Sequence, residues 1–355
     1  MNTTEQKYMK AVLTTGFGGL DKLEYHDHIP IPTPSFQEVL IRVGACGLNN
    51  TDIWTREGAY GGSVNEDFQS GWRGDKFEFP RIQGADIVGR IVAVGKGVPE
   101  SRVGERVIVN PTLYKGDSHE SIYHAEFIGS ERDGGFAEYV TVPTGNAIPI
   151  QSDFSDAELS TFMVSYLTAE HMLNRGGVAR GQTVLVTGAS GGVGSALLQL
   201  AKRRGTKIIA VVSRGKEAQA QEIGANFIIQ RGSRIRDGLN RIGVPHVDVV
   251  IDVVAGAQVN ELLDILRPGG KFVIAGAIGG PVTKIDWRMV YLKYIDILGS
   301  TLGTMEEAKD LVRYIEGKEI RPLLYKAYPL KNIVQAQTDF LSKKFFGKLV
   351  VVPHQ

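Results

Sequence analysis

One glycine-rich stretch has the spacing expected of a phosphate-binding turn. In "VLVTGASGGVGSALLQLAKRRG" an apolar run meets four glycines and then a helical pattern. Such a turn lets backbone approach a phosphate at Gly191 and lets the helix pack on the strand at Gly194, while the helix N-terminus presents free N–H groups. The alternative is a tight corner with no ligand. We expect the following residues to hold a pyrophosphate: Gly188, Ala189, Ser190, Gly191, Gly192, Val193 and Gly194.

The residues after the next two strands indicate which dinucleotide is bound. An NAD site usually carries Asp or Glu about 20 residues past the loop, to bond the ribose 2′-hydroxyl. Here the sequence is "VVSRGKEA", with Ser213, Arg214 and Lys216, and Arg231 follows the next strand. Cations make charge-assisted hydrogen bonds to a 2′-phosphate, so the pattern favours NADP(H). The alternative is that Arg214 and Lys216 only flank a solvated loop.

A second stretch, "ACGLNNTDIW", raises three possibilities: a metal site, a catalytic amide, or only a turn. It contains Cys46, the one cysteine of the chain, so neither an internal disulfide nor a cysteine-based zinc cluster can form. A lone cysteine is more often a small buried apolar residue than a reactive thiol. Asn49 is either an amide that serves the chemistry or a side chain that bonds backbone at a turn.

The elements that position these residues follow from the periodicity of the sequence. The first ~150 residues alternate short apolar strands with Gly and Pro, which is typical of a β barrel or sandwich. A helical pattern from Asp156 predicts a connector helix, after which strands and helices alternate as in a doubly wound parallel sheet. We therefore predict an α/β protein with three parts: a β-rich domain over 1–153, a cofactor domain over 154–300, and a segment over 301–355 that returns to the first domain.

Composition narrows the range of partners. The 355 residues include 40 basic and 39 acidic residues, a formal charge of +1. Without a broad positive field, nucleic acid and anionic membranes are not expected as partners. No apolar run approaches the ~18 residues needed to cross a bilayer, and the N-terminus has no apolar signal region. We expect a cytoplasmic protein.

Several motifs in order resemble the medium-chain dehydrogenase/reductase superfamily: "ASGGVG", "DGGFAEYVTVP" and "GKLVVV". The resemblance implies a GroES-like β-rich catalytic domain beside a Rossmann-type cofactor domain. It also implies cofactor contacts from Thr168 and Lys348. The segment "YIDILGSTLG" matches the edge that pairs across a two-fold axis in this superfamily, so a homodimer is expected.

The zinc-dependent branch of that superfamily carries Cys, His and Glu ligands that this chain lacks. Asn49 stands at the Cys position, Ala85 and Asp86 stand at the His-Glu pair, and 164–166 offers no third ligand. The lobe over 111–131 has no cysteine for a structural zinc site. We expect no metal, and interpret His26, His28, His119 and His124 as solvated loop residues.

The segment "GLNNTDIWTREGAY" resembles instead the zinc-independent quinone reductases and the related enoyl-thioester reductases. By that resemblance Asn49 and Tyr60 are candidate catalytic residues, with Asn49 a catalytic or orienting amide and Tyr60 a proton donor. Aromatic residues of the insertion over 61–83 are candidates to line a pocket, although loop packing explains them equally well: Trp72, Phe77 and Phe79.

A zinc-free site requires an acceptor that is already electrophilic, such as a quinone, an α,β-unsaturated carbonyl compound or an enoyl thioester. The predicted function is NADPH-dependent reduction of such a compound by hydride transfer. Two alternatives stay open: an NADPH-binding sensor or scaffold without turnover, and an alcohol dehydrogenase with an atypical metal site.

Overall fold

The computed structural model describes residues 7–61, 77–116 and 119–354. The chain forms two compact units, one made of Met1–Val164 with Thr304–Gln355 and the other of Ser165–Gly303. Each unit has its own apolar core. In the part of the chain that is described, no helix is long and apolar enough to span a membrane.

The N-terminal part of the first unit consists mainly of short strands. They are β1 (Tyr8–Thr14), β2 (Leu23–Pro30), β3 (Glu38–Gly47), β4 (Asp86–Val94), β5 (Arg106–Val109), β6 (Thr112–Leu113), β7 (Glu126–Phe127), β8 (Tyr139–Pro143) and β9 (Ala147–Pro149). Helix α1 (Asn50–Arg56) follows β3 directly, and helix α2 (Asp156–Leu159) begins in a capping box between Ser155 and Glu158. Val39, Ile41 and Val43 of β3 are fully buried, as the alternation of its sequence requires.

The second unit is built from alternating strands and helices. Its strands are β10 (Thr183–Val186), β11 (Lys207–Val212), β12 (Phe227–Gln230), β13 (Val247–Asp252), β14 (Leu266–Ile274) and β15 (Asp296–Gly299). Its helices are α3 (Met163–Arg175), whose first two residues belong to the first unit, α4 (Gly192–Arg203), α5 (Glu217–Ile223), α6 (Ile235–Arg241), α7 (Val259–Asp264) and α8 (Trp287–Leu292). All neighbouring strands are parallel, in the order β12-β11-β10-β13-β14-β15. This is the doubly wound order, with the reversal between β10 and β13, and it confirms the predicted fold class.

The C-terminal segment completes the first unit. It contains α9 (Met305–Glu316), β16 (Leu324–Pro329), α10 (Ile333–Ser342) and β17 (Lys348–Val352). Strand β17 pairs with β3, which gives the sheet order β16-β17-β3-β4-β5-β9, with β8 also paired to β3. Lys348, at the start of β17, is thereby brought to the region of Gly47, where β3 ends.

The structure differs from three expectations of detail. The helical pattern from Asp156 forms two helices, because α2 ends at Leu159 and α3 begins at Met163. Since α2 packs on β3 and β4, the first unit extends to Val164 rather than to 153. His26 and His28 lie on strand β2 and not in a loop. His28 stacks there on Tyr8 of β1, with ring centroids 3.6 Å apart.

Candidate active site and cofactor loop

The glycine-rich turn of the second unit has the geometry of a phosphate cradle. Strand β10 ends at Val186, and α4 begins at Gly192 with Gly191 as its N-cap. A Cβ on Gly194 would lie 2.2 Å from the carbonyl oxygen of Gly188, so only glycine permits this helix-to-strand approach. A Cβ on Gly191 would meet nothing closer than 3.5 Å, on an exposed face of the turn. The turn therefore combines close packing at one glycine with open backbone at another.

Basic side chains gather at the carboxyl ends of the two strands beside that turn. The Arg231 amide donates to the carbonyl oxygen of Val212 over 2.7 Å, which joins the ends of β11 and β12. The Lys216 ammonium lies 3.5 Å from the Ser190 hydroxyl of the turn. Burial, and then the nearby Arg231 guanidinium, lower the pKa of Lys216. Two repelling cations beside the glycine-rich turn form a place where an anionic group would be stabilised.

The other predicted cofactor residues are distributed over both units. Ser213 is half-buried and Arg214 is exposed, both directly after β11, and Thr168 is half-buried on α3. Lys348 lies in the first unit, where its ammonium is bonded to Asn49 and Asp86. The structure therefore gives Lys348 protein partners that the sequence did not predict.

Sequence reasoning missed a positioning carboxylate at the end of β13. Asp252 is fully buried and bonded to the Thr187 hydroxyl, which follows β10. Its carboxylate also accepts from the amides of Val254, at 2.9 Å, and Ala255, at 3.0 Å. Burial raises the pKa of Asp252. The signal in the sequence was an Asp at the end of an apolar strand. A carboxylate that is buried there needs hydrogen-bond partners, so Asp252 could have been predicted to bond to its neighbours.

Asn49 belongs to a buried polar network in the first unit. Its amide oxygen accepts from the Lys348 ammonium at 2.5 Å. Its amide nitrogen donates to the Asp86 carboxylate at 3.1 Å and to the Gly47 carbonyl at 3.3 Å. Lys348 also pairs with Asp86 at 2.7 Å, and the Val164 amide donates to the other Asp86 oxygen at 2.7 Å. In this arrangement, both N–H groups of the Asn49 amide are donated to protein acceptors.

Two further titratable groups lie close to this network. The Asp52 carboxylate accepts from the Asn49 backbone amide at 2.7 Å and caps α1. Burial raises the pKa of Asp52 to about 7. Cys46 is fully buried, and burial raises the pKa of its thiol well above the usual value. A buried, protonated thiol is a poor nucleophile, so Cys46 fits the interpretation as a small core residue.

Tyr60 lies next to the end of α1, in aromatic surroundings. Its ring centroid is 5.5 Å from that of Trp54, and its hydroxyl is hydrogen-bonded to Thr51. Burial raises the pKa of Tyr60 to about 12, so the phenol keeps its proton over the whole neutral range. Phe77 and Phe79 pack with Phe17, at centroid distances of 5.9 and 4.9 Å. Trp72 lies outside the described residues.

Among the described residues, the donor atoms around Asn49 and Asp86 differ from those of a zinc site. The three positions that would carry ligands hold an amide, a carboxylate and a backbone amide, and an ammonium already neutralises the carboxylate. Within the described part of the chain, no group of three or more His, Cys, Asp or Glu side chains is arranged to hold a metal ion. His26 lies 3.1 Å from Glu24, on the exposed hairpin of β1 and β2.

Comparison with known proteins agrees with this architecture. Residues 35–152 match the model for the alcohol dehydrogenase GroES-like domain, and residues 192–317 match that for a zinc-binding dehydrogenase. A quinone oxidoreductase from Lama guanicoe is 29% identical, with 98% of this chain and 99% of that protein covered. An acryloyl-coenzyme A reductase from Sulfurisphaera tokodaii is also 29% identical, with 97% of this chain and 100% of that protein covered.

A solved structure from Sinorhizobium meliloti 1021, provisionally described as an alcohol dehydrogenase, is 50% identical, with a TM-score of 0.95 over 98% of this chain and 97% of that one. The matches run through both units and include the glycine-rich turn and the β-rich domain. The chain is therefore an oxidoreductase of the medium-chain dehydrogenase/reductase superfamily, in its quinone oxidoreductase-like branch.

Proposed function

We propose that the protein is a zinc-independent, NADPH-dependent reductase of quinones or α,β-unsaturated carbonyl compounds. The observation that carries the proposal is the buried Asn49–Asp86–Lys348 network. By the family resemblance, Asn49 and Asp86 stand at positions that belong to the metal site of the zinc branch. A catalytic zinc site needs three protein ligands from Cys, His or carboxylate. With one carboxylate, itself paired to an ammonium, this site lacks a Lewis acid to stabilise an alkoxide, and the acceptor must be electrophilic in itself.

The residues of the second unit fit NADPH. The turn from Gly188 to Gly194 would hold the pyrophosphate, and Ser190, Lys216 and Arg231 would hold the 2′-phosphate, with Ser213 and Arg214 at its edge. Thr168 is an additional candidate contact, by the family resemblance alone. NADPH, when bound, supplies the hydride.

The residues of the first unit supply the proton and the geometry. After hydride addition to an enone, the enolate must take up one proton, and Tyr60 is the acid that we assign to this step. With a pKa of about 12, its phenol is strong enough to protonate a more basic enolate carbon. A hydroquinone is itself a phenol, with a pKa near 10, so its anion is a weaker base than the Tyr60 phenolate. Asn49 acts as an orienting amide, because its N–H groups are donated to Asp86 and Gly47.

The test combines two acceptors with one variant. Tyr60→Phe should lower kcat on an enone or enoyl thioester by about 10²–10⁴-fold and leave the Kd for NADPH unchanged. On a quinone the same variant should lose far less, since water can protonate the product. An equal, small loss on both acceptors would reduce Tyr60 to a packing residue.

A second candidate function is alcohol oxidation, favoured by the name given to the 50% identical Sinorhizobium protein. Purified wild-type protein should oxidise ethanol and benzyl alcohol barely, with or without added zinc. Rapid oxidation, with about one zinc per chain and activity lost on chelation, would establish this candidate and overturn the reductase.

The proposed assembly is a homodimer formed through β15. This strand is the edge of its sheet, and large apolar side chains close to it in the sequence are exposed, with Tyr294 at 82%. The others are Trp287, Tyr291, Leu292 and Ile297. An exposed apolar patch of this kind marks an interaction site. Sedimentation equilibrium should give twice the chain mass, and Tyr294→Asp should shift the equilibrium towards monomer.

A further inference from the structure

We propose that the Lys348 ammonium is a built-in cation that joins the three segments at which the zinc branch carries its ligands, and that Lys348 is a positioning residue for Tyr60. The inference rests on the proposed function, because it concerns the same site. Lys348 lies near the C-terminus, and the family resemblance assigned it to cofactor binding.

The contacts of Lys348 show how the three segments are held. Its ammonium lies 2.5 Å from the Asn49 oxygen, just before α1, and 2.7 Å from the Asp86 carboxylate, at the start of β4. The second Asp86 oxygen accepts from the backbone amide of Val164, in the first turn of α3, at 2.7 Å. One ammonium and one carboxylate thus connect residues that are far apart in sequence, as a bound metal ion does in other proteins.

Stability alone does not account for this network. Asp86 is 0% exposed, Lys348 3% and Asn49 7%. Taking both charges out of water has a large cost, and apolar residues of the same volume are often as stabilising as a buried ion pair. The pair does, however, have directed hydrogen bonds, and these fix the Asn49 amide in one orientation.

The fixed amide determines where α1 begins. Asn49 is the N-cap of α1, and its backbone amide donates to Asp52 in the first turn. That turn also carries Thr51, which is hydrogen-bonded to the Tyr60 hydroxyl, while Trp54 of the same helix contacts the Tyr60 ring. A displacement of Asn49 therefore moves both neighbours of Tyr60, and misplacement of about 1 Å can cost roughly a hundredfold in rate.

The test uses Lys348→Met with a matched control on the same helix end. Lys343 is an exposed lysine whose ammonium lies 2.9 Å from the side-chain oxygen of Asn50, the residue after Asn49. Lys348→Met should lower Tm by about 6–20 °C, because Asp86 is left buried without its counter-charge. It should lower kcat on an enone at least tenfold, whereas Lys343→Met should change kcat less than twofold.

Two further variants separate positioning from folding. Lys348→Met with Asp86→Asn removes both charges and should recover most of the lost Tm, while kcat stays at least tenfold low and the KM for NADPH stays within twofold. Lys348→Arg keeps the charge and should retain the wild-type fold and most of the activity. Wild-type kcat in the double variant would overturn the inference, because the pair would then be only structural.

A readout independent of turnover keeps the inference distinct from the proposed function. Trp54 fluorescence is measured with Trp72→Phe and Trp287→Phe, which leaves Trp54 as the one tryptophan of the three. In this background, the double variant of Lys348 and Asp86 should shift the emission of Trp54, and Lys343→Met should not. If the wild type reduces no acceptor, the proposed function fails, while a shifted Trp54 emission still supports the positioning of α1. An unchanged emission in the double variant overturns the inference whatever the enzyme reduces.

Discussion

Two glycines of the same turn should respond in opposite ways to one added methyl group. In Gly194→Ala the new Cβ would lie 2.2 Å from the Gly188 carbonyl oxygen, about 1.2 Å closer than the 3.4 Å of an ordinary contact. The opposing atom is backbone, so the start of α4 must move. Overpacking of this kind costs about 1–3 kcal/mol. A clash with backbone falls at the upper end of that range, about 3 kcal/mol, and alanine returns about 1 kcal/mol in helix propensity, which leaves a net loss of about 2 kcal/mol.

That loss corresponds to a fall in Tm of about 4–8 °C, with weaker NADPH binding as a consequence. In Gly191→Ala the nearest atom is 3.5 Å from the new Cβ, so Tm should change by less than about 2 °C. The methyl group would instead stand on the face where we expect the pyrophosphate, and the Kd for NADPH should rise at least tenfold, about 1.4 kcal/mol. Thermal denaturation and fluorescence titration of both variants measure these effects. A larger loss of Tm in Gly191→Ala than in Gly194→Ala would refute the geometry on which the prediction rests.

Two other substitutions probe the second unit. Lys216→Met should weaken NADPH binding about ten- to a hundredfold and leave NADH binding unchanged, while Lys207→Met, at the opposite end of β11, should change neither affinity. The pKa of Lys216 is lowered in the free protein, and a bound phosphate favours the charged form of its ammonium. NADPH affinity should therefore fall at alkaline pH as Lys216 loses its proton, whereas NADH affinity should not. If the affinities for NADPH and NADH change with pH in parallel, the assignment of Lys216 to the 2′-phosphate is wrong. Ala255 has φ of +57° and ψ of −145°, a backbone conformation that is nearly confined to glycine. Ala255→Gly should therefore raise the free energy of unfolding, measured by urea denaturation, by about 1 kcal/mol. A lower free energy of unfolding in the variant would show that the conformation of Ala255 is not strained.

The fold was predictable because its periodic signals are strong. Strands β3 and β12 have the sequences "EVLIRVGACG" and "FIIQ", which are short, largely apolar runs of the kind that predicts strands. Three short helices are among the elements that the sequence did not reveal: α1 over Asn50–Arg56, α6 over Ile235–Arg241 and α8 over Trp287–Leu292. Each spans fewer than two full helical turns, so the apolar period has no room to repeat. Tertiary contacts decide their conformation, as the hydrogen bonds of the N-cap residue Asn49 to Asp86 and Lys348 do for α1.

The candidate site was predictable where its geometry is local and not where partners come from distant segments. The glycine-rich turn depends on adjacent residues, so its spacing alone indicates the cradle. The partners of Asn49 are Asp86, which is 37 positions away, and Lys348, which is 299 positions away, and no local pattern links them. One signal was present in the sequence: Asp86 begins the apolar strand "DIVGRIVAV", and Lys348 begins "KLVVV". A charged residue at the start of a buried strand needs a counter-charge. Two such residues of opposite charge in one sheet are therefore candidates to form an ion pair with each other. By that reasoning Asp86 is the carboxylate of a buried cation site, and the ammonium that occupies this site belongs to the chain itself.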